Sequence, residues 1–315
     1  MPRPLRFVPE NDTLVEITTR CFQSQYLLTP SPLVNEIILG VLARAANEHQ
    51  VGVVAYCFMS SHYHLLARVH DAEQLARFAG YLNSNVAREV NRLRGRRGHF
   101  WQDRYHSIVV SGEEAAQIDR LVYTLSNGCK EGLVERLADW PGVHAAQALL
   151  DGGPVVGTWF DRTQEYGARR RREACETRSF AETQILELVP LPCWDGLSAE
   201  IRRSRIAGLV QQIEAEAAAL REASGIEPLG REAIERQNPF ERPRNPKKSS
   251  APRFHAFTKK VRRGLYEAYA SFVAAFREAA EKLRAGDRMA AFPTGSFPPH
   301  LPFVRDDSPA LSPTR

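Results

Sequence analysis

The sequence predicts an α+β fold: an antiparallel sheet with helices on one face, followed by a mainly helical C-terminal region. Three observations predict it. Up to Lys130, short β-branched or alternating runs take turns with longer stretches whose apolar residues recur every three or four positions, the two periods that separate strands from helices. Two of the strand-like runs are joined directly by the short break Ser60-Ser61. Beyond Trp140 the readable segments are long amphipathic stripes separated by Gly-, Pro- and Arg-rich stretches.

Taken in order, Val15 to Arg20 (VEITTR) alternates and is β-branched, so it reads as a strand. Leu33 to His49 places Val34, Ile37, Ile38, Val41, Leu42 and Ala45 at helical spacing, with Ser31 as the cap and Pro32 at the first helical position. Gly52 to Met59 is a continuous apolar run of strand length, and His62 to Val69 (HYHLLARV) alternates, so the pair reads as a hairpin of central strands. Asp71 to about Leu93 is a second helix, with Leu75, Phe78, Ala79, Leu82, Val86 and Val90 in register. His106 to Val110 is a short strand. A third helix starts at Glu113 and Glu114, where acidic groups favour a helix start, and stops near Gly128. The first six elements match the split βαβ layout of ferredoxin-like folds. That layout hosts RNA-binding modules, small-molecule enzymes and nucleases alike, so function has to come from the site.

With 315 residues the chain is long enough for two domains and a sizeable core without disulfides or metals. Its 43% hydrophobic and 25% charged residues are those of an ordinary soluble protein, and no apolar run of roughly 18 residues is present to span a bilayer. No apolar stretch follows the basic residues of Met1 to Glu10, so no secretory signal is expected. The five cysteines are scattered without a CxxC pair, which argues against a disulfide framework or a cysteine zinc site, and a reducing cytoplasm is the expected location. The net charge of +5 comes from 36 Arg and only 6 Lys against 37 acidic residues. Arginine suits bidentate phosphate contacts, a weak lean toward nucleic acid.

Two patterns carry chemistry. On the strand His62 to Val69, His62 and His64 share a face about 6–7 Å apart while Tyr63 points the other way. Two imidazoles so held can bind one divalent metal or stand as two half-buried histidines. In the third helix Tyr123 and Asn127 lie one turn apart on one face. If that helix packs across the sheet face bearing the histidines, the phenol and an amide oxygen reach the same metal. Tyrosine has an ordinary pKa near 10, so it needs a base or a metal nearby to act as a nucleophile; otherwise it is a core aromatic. His99 and His106 lack a paired spacing and read as surface histidines.

Three segments together resemble a known family. FMSSHYHLL resembles the metal-binding HUH strand of single-tyrosine transposases, WQDRYHSIVV the tryptophan and arginine stretch before their last strand, and RLVYTLSNGCKEGLV their tyrosine helix and the turn after it. The three occur in the same order and at similar spacing, over about residues 5 to 145. The family is that of insertion-sequence single-tyrosine HUH transposases, with the REP-associated tyrosine transposases most similar. The resemblance implies that His62 and His64 are paired metal ligands, Tyr123 the nucleophile, and Asn127 the third polar ligand. Where the family has a proline before the first histidine this chain has Ser60 or Ser61, and where it has one after the asparagine this chain has Gly128. Both departures bear on turn stiffness rather than on chemistry. The implied activity is Mg²⁺- or Mn²⁺-dependent cleavage and rejoining of single-stranded or hairpin DNA through a 5′-phosphotyrosine link. Imidazole ligands suit Mn²⁺ better than Mg²⁺. The alternative is a catalytically inactive protein of the same fold that binds hairpin DNA or RNA. A homodimer is compatible with the family, and nucleoid association is expected when DNA is bound.

DNA contact is expected from Arg88, Arg92, Arg94, Arg96, Arg97 and Arg104, interleaved with Phe100, Trp101 and Tyr105, a mix of phosphate and stacking partners. The division expected is a transposase domain at 1–150, a connector at 151–195 holding the run Arg169 to Arg172, and a helical region at 196–315. Within the last, Leu197 to Ser224 reads as a helix or helical pair and Phe257 to Leu283 as an amphipathic helix, with the tail from Phe292 extended. Residues 238–253 read as a Pro-rich linker or extended arm. From Arg242 to Arg263 there are nine basic residues and no acidic one, which is either a phosphate-binding arm or a soluble linker.

Overall fold

The computed structural model describes residues 5–9, 11–173, 176–244 and 252–299. Its first half is β1 (Thr13–Arg20), α1 (Pro32–His49), β2 (Gly52–Phe58), β3 (His62–Val69), α2 (Ala72–Leu93), β4 (His106–Val110) and α3 (Glu114–Lys130), close to the sequence expectation at every element. The starts are set by local chemistry. The Ser31 hydroxyl accepts from the Val34 amide at 3.3 Å with Pro32 behind it, and the Asp71 carboxylate accepts from the Gln74 amide at 2.7 Å. The strands form one sheet in the order β2-β3-β1-β4, with every pair antiparallel, as the ferredoxin-like layout requires.

The sheet divides its residues by parity. Tyr63, fully buried, donates from its hydroxyl to Asn83 of α2 and meets the Trp101 ring edge-on, so α2 lies on the Tyr63 face; α1 packs beside α2. The opposite parity carries His62 and His64, and the α3 tyrosine ring lies against His64. The expectation of helices on one face therefore holds for α1 and α2, and α3 covers the other face. The reason is connectivity: α3 follows the last strand of the split βαβ unit and is not constrained to the side that its two crossovers occupy.

The second half contains more strand than its sequence pattern predicts. After α4 (Ala146–Asp151), β5 (Val155–Phe160) and β6 (Ala181–Leu186) form an antiparallel hairpin, linked through α5 (Arg162–Arg170), that packs on the outer side of α1. The approach is close enough to require glycine on both partners. A Cβ on Gly40 would stand 1.9 Å from the Thr158 carbonyl oxygen, and one on Gly157 would stand 2.2 Å from the Gly40 nitrogen. Arg44 ties the same contact together, bonding Tyr81 of α2 and Glu182 of β6 while its guanidinium lies 4.9 Å from the Trp159 ring.

Leu197–Ser224 resolves into a single helix, α6 (Ala199–Ser224), which packs on α3 and α4, and the short α7 (Arg231–Glu235) follows. The segment after α7 is pinned to the first half: the Tyr26 amide bonds the Glu241 carbonyl and the Ser60 hydroxyl bonds the Gln237 side chain at 2.6 Å. A fifth strand, β7 (Phe254–His255), then adds parallel to β4 at the sheet edge, and α8 (Lys259–Arg284) leads away from it. The described parts of the Pro-rich stretch are thus docked chain; its residues 245–251 lie outside the described residues, as does the tail beyond Pro299. The hydrophobic core runs continuously from Leu14 to Phe254, taking in Val155, Leu186, Trp194, Ile206 and Ile234. Cys21, Cys57, Cys129 and Cys193 are free thiols. Among the described residues no helix is long and apolar enough to cross a membrane.

Candidate active site

The register of the sheet fixes what surrounds the two histidines. His62 stands opposite Arg20 and His64 opposite Thr18 of β1; across β1, His106 of β4 stands opposite the same Thr18. Residues paired across a sheet share a face, so Glu16, Thr18 and Arg20 lie with His62, His64 and His106 on the side covered by α3. The imidazoles of His62 and His64 have centroids 5.2 Å apart and planes at 85°.

Each imidazole is held through the same nitrogen. His62 Nδ1 is 3.1 Å from the Ser61 hydroxyl, and His64 Nδ1 is 2.7 Å from a Glu16 carboxylate oxygen. A carboxylate accepts only, so His64 carries its proton on Nδ1 and leaves the Nε2 lone pair free. Neither Nε2 has a hydrogen-bond partner among the described residues. Burial, with the charges of His64 and Arg20 beside it, pushes His62 down to about 3, so it is the neutral imidazole that a metal needs.

Glu16 is the hub beneath them. Its side chain is 1% exposed, and its second oxygen is ion-paired to Arg120 of α3. Burial alone would raise its carboxyl, but the His64 hydrogen bond and the Arg120 charge outweigh that and hold it below the ordinary range. A carboxylate behind a histidine whose other nitrogen is open is the usual outer support of a metal-bound imidazole.

On α3 the Tyr123 ring meets the His64 ring edge-on, with centroids 5.2 Å apart. The Arg120 guanidinium lies 4.1 Å from the tyrosine ring centre and the Lys130 ammonium 4.9 Å. Burial, and then the Glu16 and Glu131 charges, raise the phenol above its ordinary pKa, so it stands protonated at neutral pH. Asn127 is buried one turn on, and its amide nitrogen is committed to the Tyr123 and Thr124 carbonyls at 2.7 and 3.2 Å. Its carbonyl oxygen is therefore the atom it can offer a cation. Among the described residues no group of three or more His, Cys, Asp or Glu could hold a metal ion, so a cation here has two imidazoles and must complete its shell with amide, phosphate or water oxygens. That oxygen-rich set fits Mg²⁺ or Mn²⁺ better than a closed zinc site.

The residues expected to touch DNA separate into two groups. Arg88, Arg92, Arg97 and Arg104 are exposed, and Arg88 donates to Asn85 at 2.8 Å. Arg92 pairs with Glu165, Arg94 donates to the Leu27 and Thr29 carbonyls, and Arg96 bonds Asn91. Trp101 donates to the Asn83 carbonyl and packs on Tyr63, and Tyr105 is buried with its hydroxyl bonded to Arg6. Arg94, Arg96, Trp101 and Tyr105 thus brace the turn after α2 and the strip beside His62. That strip runs close to the site, because the Gln102 amide bonds the Arg20 carbonyl and the Cys21 amide bonds Ser61.

Sequence reading missed Glu16 and Arg120. A signal for the first existed: the alternation that makes VEITTR a strand puts Glu16, Thr18 and Arg20 on one face, polar where a covered sheet face is ordinarily apolar. His106 is exposed, as its sequence context suggests, and sheet pairing sets it opposite Thr18 beside the histidine pair.

The sheet presents two open imidazole nitrogens beneath a tyrosine-bearing helix in an α+β fold. Residues 20–123, about a third of the chain, match the family model described as "Transposase IS200 like". The match includes His62 and His64 and ends on Tyr123, leaving Asn127 outside it. Among solved structures, the chain is similar to a REP-associated tyrosine transposase bound to a REP hairpin. Identity there is 14% over 48% of this chain and 86% of that one, with a TM-score of 0.39. It is also similar to a candidate transposase from Deinococcus radiodurans R1, at 19% identity over 39% of this chain and 96% of that one, with a TM-score of 0.28. No curated protein matches.

Proposed function

We propose that the protein is a metal-dependent DNA strand transferase that cleaves and rejoins single-stranded or hairpin DNA through Tyr123. The observation that carries this reading is the pair of imidazoles, each engaged at Nδ1 and open at Nε2, with the His64 ring against the Tyr123 ring of the same chain. His62, His64 and the Asn127 carbonyl oxygen would hold the cation, which when bound supplies charge neutralisation at a phosphate. Glu16 fixes the His64 tautomer and keeps the ring in place. Arg120 holds Glu16 ionised.

In the reaction the Tyr123 phenolic oxygen attacks phosphorus and its proton passes to solvent. The bond from phosphorus to the 3′ oxygen breaks, giving a 5′-phosphotyrosine and a free 3′-hydroxyl. A 3′-hydroxyl of another strand then attacks the same phosphorus, takes over the bond and restores the phenol. One phosphodiester is exchanged for another through a covalent ester, so no nucleotide hydrolysis is required. Arg88, Arg92, Arg97 and Arg104 are the arginines of the 88–104 stretch exposed to solvent, and they would face the DNA backbone.

Incubation with single-stranded DNA hairpins and Mn²⁺ tests the proposal. The expected product is a protein–DNA adduct that survives denaturation and is absent with Tyr123→Phe. Hairpin binding without any adduct would instead establish an inactive binding protein of the same fold.

A further inference from the structure

The C-terminal arm brings a second set of groups to the same helix that carries Tyr123. β7 lies beside β4, where His255 stands opposite Val110 and its Nε2 is 3.1 Å from Asp119 of α3. Two residues on, the Glu113 carboxylate at the start of α3 accepts from the Phe257 and Thr258 amides at 2.8 and 3.1 Å. Glu113 therefore serves the incoming arm and gives no side-chain cap to α3 itself. An aromatic cluster fastens the arm from the other side: Phe254 meets Phe7, Tyr266 and Tyr269 at centroid distances of 6.1, 4.9 and 5.9 Å, and Phe7 meets Phe272 at 5.2 Å.

What this rigid mounting presents outward is Phe257, 72% exposed, followed by the first turn of α8 with Lys259, Lys260, Arg262 and Arg263, all exposed. None of the four cations has a carboxylate partner among the described residues. Of the nearby acids, Glu113 is engaged with the arm amides, Asp119 with His255 and Glu114 with Arg205, while Glu267 follows Arg263 by one turn of α8. The first turn of α8 contains no acidic residue, and four cations at a helix start oppose the backbone dipole, so helix stability does not account for them. An exposed aromatic beside unpaired cations is the combination that takes stacked bases and a phosphate backbone. The distance is suitable as well, since Glu114 to Tyr123 spans about 14 Å along α3.

We propose that Phe257, Lys259, Lys260, Arg262 and Arg263 form a single-stranded DNA-binding strip that holds the strand running from the Tyr123 site along α3. This rests on the strand-transfer reading of that site, and goes beyond it by giving the C-terminal region a substrate-holding role. Binding of a fluorescent single-stranded oligonucleotide in the presence of a chelator reads strand contact without chemistry. Replacing the four cations together (Lys259→Gln, Lys260→Gln, Arg262→Gln, Arg263→Gln) lowers the slope of log K against log salt by about 3, at roughly 0.7 per phosphate contact on a single strand. Phe257→Ala alone weakens binding about 5- to 150-fold with the salt slope kept. All five residues are exposed, and an unchanged circular dichroism melt confirms that both variants fold.

A salt slope and affinity unchanged in both variants would overturn the strip, as would a loss seen only with duplex DNA or only with RNA of the same sequence. The strand-transfer reading fails separately, if wild type gives no adduct with Mn²⁺ while the chelator-phase binding difference persists.

Discussion

Replacing Glu16 by Gln is the most informative single change, because the carboxylate serves two partners at once. Glutamine keeps the shape, and its amide oxygen can accept from His64 Nδ1–H or from Arg120. It has no charge to offset a guanidinium whose side chain is only 11% exposed. Leaving a buried charge without its counter-ion costs about 3–5 kcal/mol, well above the roughly 1 kcal/mol of an ordinary hydrogen bond. The same substitution removes the carboxylate that orients His64, and loss of such outer support typically costs about 10–100-fold in metal affinity. Urea unfolding of the metal-free protein measures the first effect and titration with Mn²⁺ the second. Adding Arg120→Met to Glu16→Gln removes the stranded charge and should recover a large part of the stability without recovering metal affinity. A Glu16→Gln protein within about 1 kcal/mol of wild type would refute the description of Glu16 as the neutraliser of Arg120. Unchanged Mn²⁺ affinity would refute its role behind His64.

Gly40→Ala places a methyl against the Thr158 carbonyl, so urea unfolding should show a loss of about 1–3 kcal/mol even though alanine favours an isolated helix by about 1 kcal/mol; a stabilised variant would show that α1 and β5 do not meet at this position. Glu165, 2% exposed, is pulled up by burial, but the Arg162 and Thr177 hydrogen bonds and the Arg162 and Arg92 charges prevail and hold it down to about 2. Its folded pKa is below the unfolded value, so it stabilises above about pH 4.5 and that contribution, about 3 kcal/mol, disappears as pH falls toward 2. Acid titration of stability should be shallower over that window in Glu165→Gln, and identical curves would contradict the network. Gln237→Ala, which removes the brace on Ser60, should cost about 1 kcal/mol in unfolding and slow adduct formation several-fold; an unchanged rate would mean that the turn before His62 needs no support from the C-terminal segment.

This last contact bears on the departure seen at the turn. A serine pair replaces a stiff proline before His62, and the structure supplies stiffness from a distance: Ser60 bonds Gln237, and the Leu28 amide bonds the Ser60 carbonyl. No local pattern could announce it, because the two partners are separated by 177 positions. The same holds for Arg94, Trp101 and Tyr105. Their composition suggests a nucleic-acid surface, but hydrogen bonds to residues remote in sequence turn them inward.

The elements of the first half were legible because each is a local matter of periodicity and capping. Ser31 and Asp71 cap the helices that follow them, and strict alternation places His62 and His64 together. The pairing of Tyr123 with Asn127 was legible for the same reason, being one turn of one helix. What the sequence by itself determined was thus the set of strands and helices, the His62–His64 and Tyr123–Asn127 pairs, and the family they resemble. Only the tertiary structure decided that α3 crosses to the histidine face, that Glu16 and Arg120 support the pair, and that residues 254–263 return to the edge beside the tyrosine helix. Sheet register and helix side are set by contacts between distant segments, and those contacts are where buried charge is neutralised or left exposed.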